Sequence, residues 1–101
     1  MTALTIDHQV KVIKALAHPA RLEIVQALAS GERCVSDLQS LVGGDLSTVS
    51  KHLTLMRKAG WIDCRKEGQQ VFYRLACECL PTFLRCIEDI GTCRPGSSCD
   101  C

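Results

Sequence analysis

The stretch DLSTVSKHLTLMRKAG, residues 45–60, decides the fold that we predict for this chain. Its apolar residues recur at helical spacing, so we expect one helix over Leu46–Ala59 with an apolar face toward a core. Asp45 is suited to cap the start of that helix, and Gly60 is a typical stop. The positions expected to face inward are Leu46, Val49, Leu53 and Met56.

The segments on either side of this helix predict a helix-turn-helix followed by a hairpin. A short helix is expected over Cys34–Leu41, and it stops at Gly43. Two short helices joined by a tight turn that contains glycine are typical of a helix-turn-helix. Downstream, Trp61–Lys66 and Gln70–Leu75 are rich in strand-forming residues and flank Gly68, which indicates a β-hairpin, or wing.

Helices are also expected at both ends of the chain. We predict them over Asp7–Leu16 with Asp7 as the cap, over Pro19–Ala29, and over Leu80–Ile90 with a stop at Gly91. The fold is therefore predicted to be mainly α with a β-hairpin, a winged helix-turn-helix in the order α-α-α-α-β-β-α. Residues 1–91 form one domain that dimerises through its first and last helices, and residues 92–101 form a flexible tail.

Composition and charge limit the possible classes of protein. With 101 residues, 47% of them hydrophobic and 23% charged, the chain is expected to fold as one domain. No apolar run approaches bilayer length, and the first residues lack the apolar stretch of a signal peptide, so we expect no membrane partner and a cytoplasmic location. The net charge is only +1, yet residues 47–74 carry six basic and two acidic residues. This segment indicates one face for an anionic partner.

Five sequence segments, in this order and at these spacings, carry a family resemblance. They are HPARLEIV at 18–25, CVSDL at 34–38, LSTVSKHL at 46–53, LMRKAGWI at 55–62 and RKEGQQVFYRL at 65–75. The chain resembles the ArsR/SmtB family of metalloregulatory repressors, most of all its arsenic-responsive branch. The resemblance implies a homodimer with the flanking helices at its interface. It also implies a recognition helix and wing on double-stranded operator DNA, and effector sites built from cysteine, histidine or carboxylate side chains.

Polar residues on the recognition helix and around the wing tip are the candidates for DNA contacts. Short or flexible donors on such a helix can reach phosphates or base edges, and basic or amide side chains on a wing can hold flanking phosphates. The alternative for each is an ordinary solvated surface residue, and for His52 a histidine of the core. The candidates are Ser47, Thr48, Ser50, Lys51, His52, Arg65, Lys66, Gln69 and Gln70.

Cysteine is the unusual feature of the composition, with eight residues. In a reducing compartment such thiols serve metal binding or redox sensing more often than disulfides. Trivalent arsenic and antimony suit three thiolates, and zinc, cadmium, lead or copper(I) also bind cysteine-rich sites. Some arsenic-responsive relatives carry a cysteine cluster just past the last helix, and the polar tail here has no core in which thiols could pack. We therefore predict the effector site at Cys93, Cys99 and Cys101.

Four further cysteines are reserve ligands. Cys34 begins the segment CVSDL where arsenic sensors of the family often carry CVCDL, so the second thiol is missing, and packing as a small apolar residue is an equal alternative. Cys77 and Cys79 stand where zinc sensors of the family present an Asp-x-His pair. Cys86 follows Cys79 by seven residues and would share its helical stripe. Cys64 on the first wing strand is expected to be structural.

The predicted function is a repressor that needs no cofactor to bind DNA and dissociates when thiolates capture As(III), Sb(III) or another thiophilic ion. Such binding beside a dimer-interface helix would shift the two recognition helices out of register with successive major grooves. Three alternatives stay open. One is a redox or persulfide sensor of the same fold. Relatives of that kind carry their sensing cysteines in the second helix, at positions that are Val25 and Gln26 in this chain. A thiol oxidoreductase would need a CxxC pair that this sequence lacks, and a metal buffer would leave the basic helix-turn-helix unexplained.

Overall fold

The computed structural model describes residues 5–92, which form five helices and three strands. The strands make one antiparallel sheet in the order β1-β3-β2. This arrangement confirms the predicted winged helix-turn-helix and adds one strand to it. The elements are α1 (Ile6–Leu16), α2 (Pro19–Leu28), β1 (Arg33–Cys34), α3 (Val35–Val42), α4 (Leu46–Ala59), β2 (Ile62–Glu67), β3 (Gln70–Leu75) and α5 (Leu80–Thr92).

The first helix begins at Ile6, one residue before the predicted start. Thr5 is its cap, because the Thr5 hydroxyl accepts a hydrogen bond of 3.1 Å from the backbone N–H of His8. Asp7, predicted as the cap, lies instead in the first turn, where a negative charge favours the helix N-terminus.

The strand β1 was not predicted. Arg33 pairs with Tyr73 and Cys34 pairs with Phe72, so β1 adds an edge to the wing. Cys34 is also the residue that precedes α3, which therefore starts at Val35 rather than at Cys34. A strand of two residues is too short to show the alternating pattern by which strands are recognised in a sequence.

The helix α4 has the predicted bounds. The Asp45 carboxylate accepts a 2.8 Å hydrogen bond from the backbone N–H of Thr48, and Gly60 ends the helix with φ 96°. Three of the four residues expected to face inward are fully buried. Leu46 is not, with 48% of its surface exposed, so the inward orientation expected for it is wrong.

The wing consists of β2 and β3, joined at a two-residue turn. Glu67 pairs with Gln70, so the turn residues are Gly68 and Gln69 rather than a three-residue loop. Gly68 has φ 63°, a backbone conformation that glycine adopts without a steric cost.

One tryptophan connects the wing to both ends of the described chain. The Trp61 indole N–H donates a 2.6 Å hydrogen bond to the backbone carbonyl of Val12 in α1, and its ring stacks on Phe83 of α5 at 5.8 Å between centroids. Trp61 is itself buried, as is Ile62 at the start of β2. These contacts fix both outer helices against the same side of the core.

The outer helices also present apolar side chains to solvent. On α1, Ile6 is 71% exposed and Ile13 is 62% exposed; on α5, Ile90 is 74% exposed. The helix α5 continues to Thr92, past the predicted stop at Gly91, because glycine weakens a helix without ending it. Within residues 5–92 there is no helix with the length and apolar character needed to cross a membrane.

Candidate DNA interface and thiol sites

The outward face of α4 carries four of the predicted DNA contacts. Ser47, Thr48, Ser50 and Lys51 are all exposed. The Ser47 hydroxyl donates a 2.9 Å hydrogen bond to Asp45, which orders the start of this face. Lys51 is in none of the ion pairs formed within residues 5–92, so its charge is available to an outside anion.

His52, the fifth predicted contact on this helix, is half-buried. Its Nδ1 accepts a 3.1 Å hydrogen bond from Nε of Arg21, and its ring lies 4.6 Å from that of His18. Burial lowers the pKa of His52, and the nearby His18 and Arg21 lower it further. The ring is therefore neutral at pH 7, and its proton is on Nε2 because Nδ1 is the acceptor.

Arg21 was not among the predicted site residues, although it ties α2 to the recognition helix. Its Nη1 also donates to the backbone carbonyl of Ala15 at 3.3 Å. The sequence signal was available, since Arg21 belongs to the segment HPARLEIV that carries part of the family resemblance. The contact itself joins residues 31 positions apart and cannot be read from local spacing.

On the wing, Arg65 is held by two carboxylates. Its Nη2 lies 2.8 Å from Glu32, its Nε donates to the same carboxylate at 2.9 Å, and its Nη1 pairs with Glu67. The guanidinium also lies over the Phe72 ring, 4.9 Å from the centroid. The hydrogen bond from Arg65 lowers the pKa of Glu32, so both groups are charged at neutral pH. The Arg65 charge is thus balanced by Glu67 of the wing and by Glu32, which lies just before β1.

The other predicted wing residues are exposed. Lys66 lies on β2, and Gln69 and Gln70 lie at and just after the turn. Lys66 is in none of the ion pairs within the described residues. A free cation and two amides at the tip can hydrogen-bond phosphates that flank a major groove.

Two of the reserve cysteines lie side by side. The Sγ atoms of Cys77 and Cys79 are 2.8 Å apart and both residues are exposed, in the segment that joins β3 to α5. The hydrogen bond between the two thiols lowers the pKa of Cys77 and raises the pKa of Cys79. Cys77 is therefore the more acidic thiol of the pair.

The remaining cysteines are dispersed. Cys34 is half-buried in β1, just before α3, and Cys86 is exposed on α5. Cys64 is half-buried, and its Sγ accepts a 3.3 Å hydrogen bond from Arg57. In the part of the chain that the structure describes, no three potential ligands gather as a metal site. The first-choice ligands Cys93, Cys99 and Cys101 lie outside the described residues.

The comparisons with known proteins place this geometry in a family. The sequence profile described as "Bacterial regulatory protein, arsR family" matches residues 18–63. A homodimeric winged helix-turn-helix DNA-binding domain from Mycobacterium bovis, described as a possible ArsR-family transcriptional regulator, superposes with TM-score 0.78 and 30% identity over 91% of each chain. The chain belongs to the ArsR family.

Curated relatives in the ArsR family match over shorter lengths. The biofilm growth-associated repressor of Agrobacterium fabrum is 45% identical over 65 residues, which are 64% of this chain and 56% of that protein. Another relative is a CadC homolog of Staphylococcus aureus, named as a cadmium resistance transcriptional regulatory protein. It is 39% identical over 66 residues, which are 64% of this chain and 54% of that protein. The chain thus spans about half the length of these relatives. They are named as transcriptional regulators, not as enzymes.

Proposed function

We propose that this ArsR-family protein is a homodimeric repressor that binds operator DNA and is released when cysteine thiolates capture a thiophilic ion. The observation that carries the DNA-binding part is the exposed face of α4, where Ser50 and Lys51 lie uncovered next to the wing that carries Lys66. A helix of this kind enters the major groove while a wing follows the backbone. Operator DNA lies in the cytoplasm, and we propose that the protein acts there.

The dimer is supported by the outer helices. The residues Ile6, Val10 and Ile13 recur on one side of α1, and all three are exposed in the single chain. Phe83 and Ile90 add exposed apolar surface on α5. A second copy of the chain would remove this surface from water, and a two-fold dimer would present two recognition helices to the two half-sites of an operator.

The sensing part rests on the thiols. We propose As(III) or Sb(III) as the first effector and Cys93, Cys99 and Cys101 as its first-choice ligands, because three thiolates suit a trivalent thiophilic centre. Cys77 and Cys79 are the reserve pair, with sulfurs close enough for one ion to bind both. The pair needs a third ligand, which the tail or the partner subunit would supply. Cys34 and Cys86 remain reserve ligands.

The reserve pair lies directly before α5, one of the two helices assigned to the dimer interface. An ion that binds there favours one position of α5 over another. Because effector and DNA affinities are reciprocally coupled, this preference weakens operator binding, typically by about 1–3 kcal/mol. The cadmium regulator among the relatives supports an ion as the effector.

The test is release from a fluorescent operator fragment, with the reduced protein titrated by arsenite, antimonite, cadmium and zinc. Three forms are compared: the intact chain, C93S/C99S/C101S, and C77S/C79S. We expect arsenite to release the intact chain and C77S/C79S but not the tail variant. If only C77S/C79S fails to respond, the site lies at the reserve pair. If the intact protein does not bind its operator at all, the repressor proposal is wrong.

A redox switch is the second candidate, and the Sγ contact between Cys77 and Cys79 favours it. Oxidation by a peroxide would remove two electrons and two protons from the two thiols, form one S–S bond, and reduce hydrogen peroxide to two waters. Release of operator DNA by peroxide, without metal and reversed by dithiothreitol, would support this candidate. Peroxide that leaves binding unchanged in the intact chain would exclude it.

A further inference from the structure

An open pocket lies between α1 and the second half of α4. Its volume is about 420 Å³, within the range of sites that bind small molecules. The apolar part of its wall comes from Val12 and Ala15 of α1 and from Leu55 and Ala59 of α4. Such a wall favours the hydrocarbon portion of a ligand.

The charged side chains that line the pocket are all basic. Lys11, Lys14, Arg21 and Lys58 line it together with His8, and among the described residues no aspartate or glutamate lines the pocket. None of these four cations is in an ion pair within residues 5–92. Cations that line one pocket without a counter-charge attract an anion. The chemistry that complements this pocket is therefore an apolar body with a negative head.

The pocket wall is fixed by contacts that need no ligand. The Val12 carbonyl accepts the 2.6 Å hydrogen bond from Trp61, and the Ala15 carbonyl accepts the 3.3 Å bond from Arg21. A wall that is already ordered reduces the entropy lost on binding. The exposed apolar residues Ile6 and Ile13 are about half a helical turn away from Ala15 around α1. A dimer formed through them would bury the side of α1 opposite to Ala15.

We infer that this pocket binds a small amphipathic carboxylate, such as a medium-chain fatty acid. The hydrocarbon chain would lie on the apolar wall, and the carboxylate would meet the cations at the rim. Arg21 uses Nε for His52 and Nη1 for Ala15, which leaves its Nη2 donors for the ligand. This site is separate from the thiols, and octanoate binding can be measured whether or not the protein binds DNA.

The experiment titrates octanoate into the full-length reduced protein and follows its ¹H–¹⁵N spectrum, including the arginine Nε–H signals. We expect saturable shifts confined to the amides of Val12, Ala15 and Ala59 and to the Arg21 side chain. Octanol keeps the chain without the charge, and acetate keeps the charge without the chain. Both are expected to bind about tenfold more weakly or worse, the equivalent of about 1.4 kcal/mol.

Two variants separate the pocket from general surface binding. K11Q/K58Q removes two rim cations at exposed positions and is expected to weaken octanoate binding about fivefold or more. The control is K66Q, which removes an exposed cation from the wing and should leave octanoate binding unchanged. Octanol that binds as tightly as octanoate, or K11Q/K58Q that binds like the intact chain, would overturn the inference. It would also be overturned if these amides respond to duplex DNA and not to octanoate, since the rim would then belong to the DNA surface.

Discussion

Two adjacent residues on the wing differ in what they can offer to DNA. Lys66 is free of ion pairs within the described residues, whereas Arg65 is neutralised by Glu32 and Glu67. A residue that neutralises a DNA phosphate releases a counterion, so its removal makes binding less dependent on salt. A residue whose charge is already balanced does this to a lesser extent.

We therefore expect Lys66→Ala to weaken operator binding and to reduce the slope of log Kd against log salt by about 1. Arg65→Ala should change that slope much less, while it lowers the stability of the wing through loss of the contacts with Glu32 and Phe72. The measurement is fluorescence anisotropy on an operator fragment at several salt concentrations. Equal slope changes for the two variants would show that Arg65 leaves its carboxylates and contacts DNA.

Asp45, which caps the recognition helix, makes stability depend on pH. The hydrogen bond from the Thr48 backbone N–H holds the pKa of Asp45 below its ordinary value, and the Ser47 hydroxyl adds to this effect. A carboxylate whose pKa is lowered by folding stabilises the protein above its unfolded-state pKa of about 3.9. That contribution is lost as the pH falls through the lowered folded-state pKa.

Asp45→Asn keeps a capping side chain without the titration. As the pH falls from about 6 to below the unfolded-state pKa of about 3.9, the natural protein should therefore lose stability that the variant keeps. The urea midpoint of the variant is expected to rise relative to that of the natural protein. Circular dichroism at a series of pH values measures it. A difference that stays constant over this range would mean that the Asp45 charge does not contribute to the cap.

At the scale of the element, α4 contributes both to the core and to the proposed DNA-binding surface. Leu53 is fully buried on its inner side, whereas Leu55, two residues away, is 40% exposed. Leu53→Ala should lower the free energy of unfolding by about 2–5 kcal/mol, since it leaves a cavity in the core. Leu55→Ala makes the same chemical change at the surface, and less than half of that loss is expected. Urea denaturation of both variants tests this, and equal losses would contradict the packing described for α4.

The bounds of α4 were predictable because both of its end signals are local. Asp45 and Gly60 act on backbone groups within a few residues of themselves, so the sequence alone contains the cap and the stop. The strand β1 depends instead on pairing with Phe72 and Tyr73, far along the chain. No local pattern encodes such a pairing, and this is why the strand was missed.

The candidate site was predictable to a similar degree. Exposure of Ser50 and Lys51 follows from their place outside the buried stripe of α4. The half-burial of His52 does not, because it depends on Arg21 and His18 from another helix. The balanced charge of Arg65 likewise depends on Glu32, which is 33 residues away. Charge and residue type indicate the surface, but long-range partners decide which side chains on it are free.

At the scale of the whole molecule, the exposed stripe of α1 predicts how the chain assembles. Ile13→Glu places a charge on this stripe of Ile6, Val10 and Ile13, where a dimer would have to bury it. We expect the variant to sediment as a folded monomer at micromolar concentration. Its operator affinity should fall about tenfold or more, since the two half-sites are no longer bound by one linked unit.

Thr82→Glu is the matched control, because Thr82 is an exposed polar residue on the side of α5 away from its apolar stripe. This variant should remain dimeric and bind DNA normally. An Ile13→Glu protein that is still dimeric would move the interface away from α1.

The contacts of Trp61 make the protein its own optical probe. The chain has a single tryptophan, so all indole emission comes from the point where α1, the wing and α5 meet. An ion captured before α5, a second subunit against α1 or a molecule beside Val12 would each alter the surroundings of this one ring. Changes in its emission wavelength and quenching therefore give the rates of these events in unlabelled protein, and stopped-flow mixing can rank them in time.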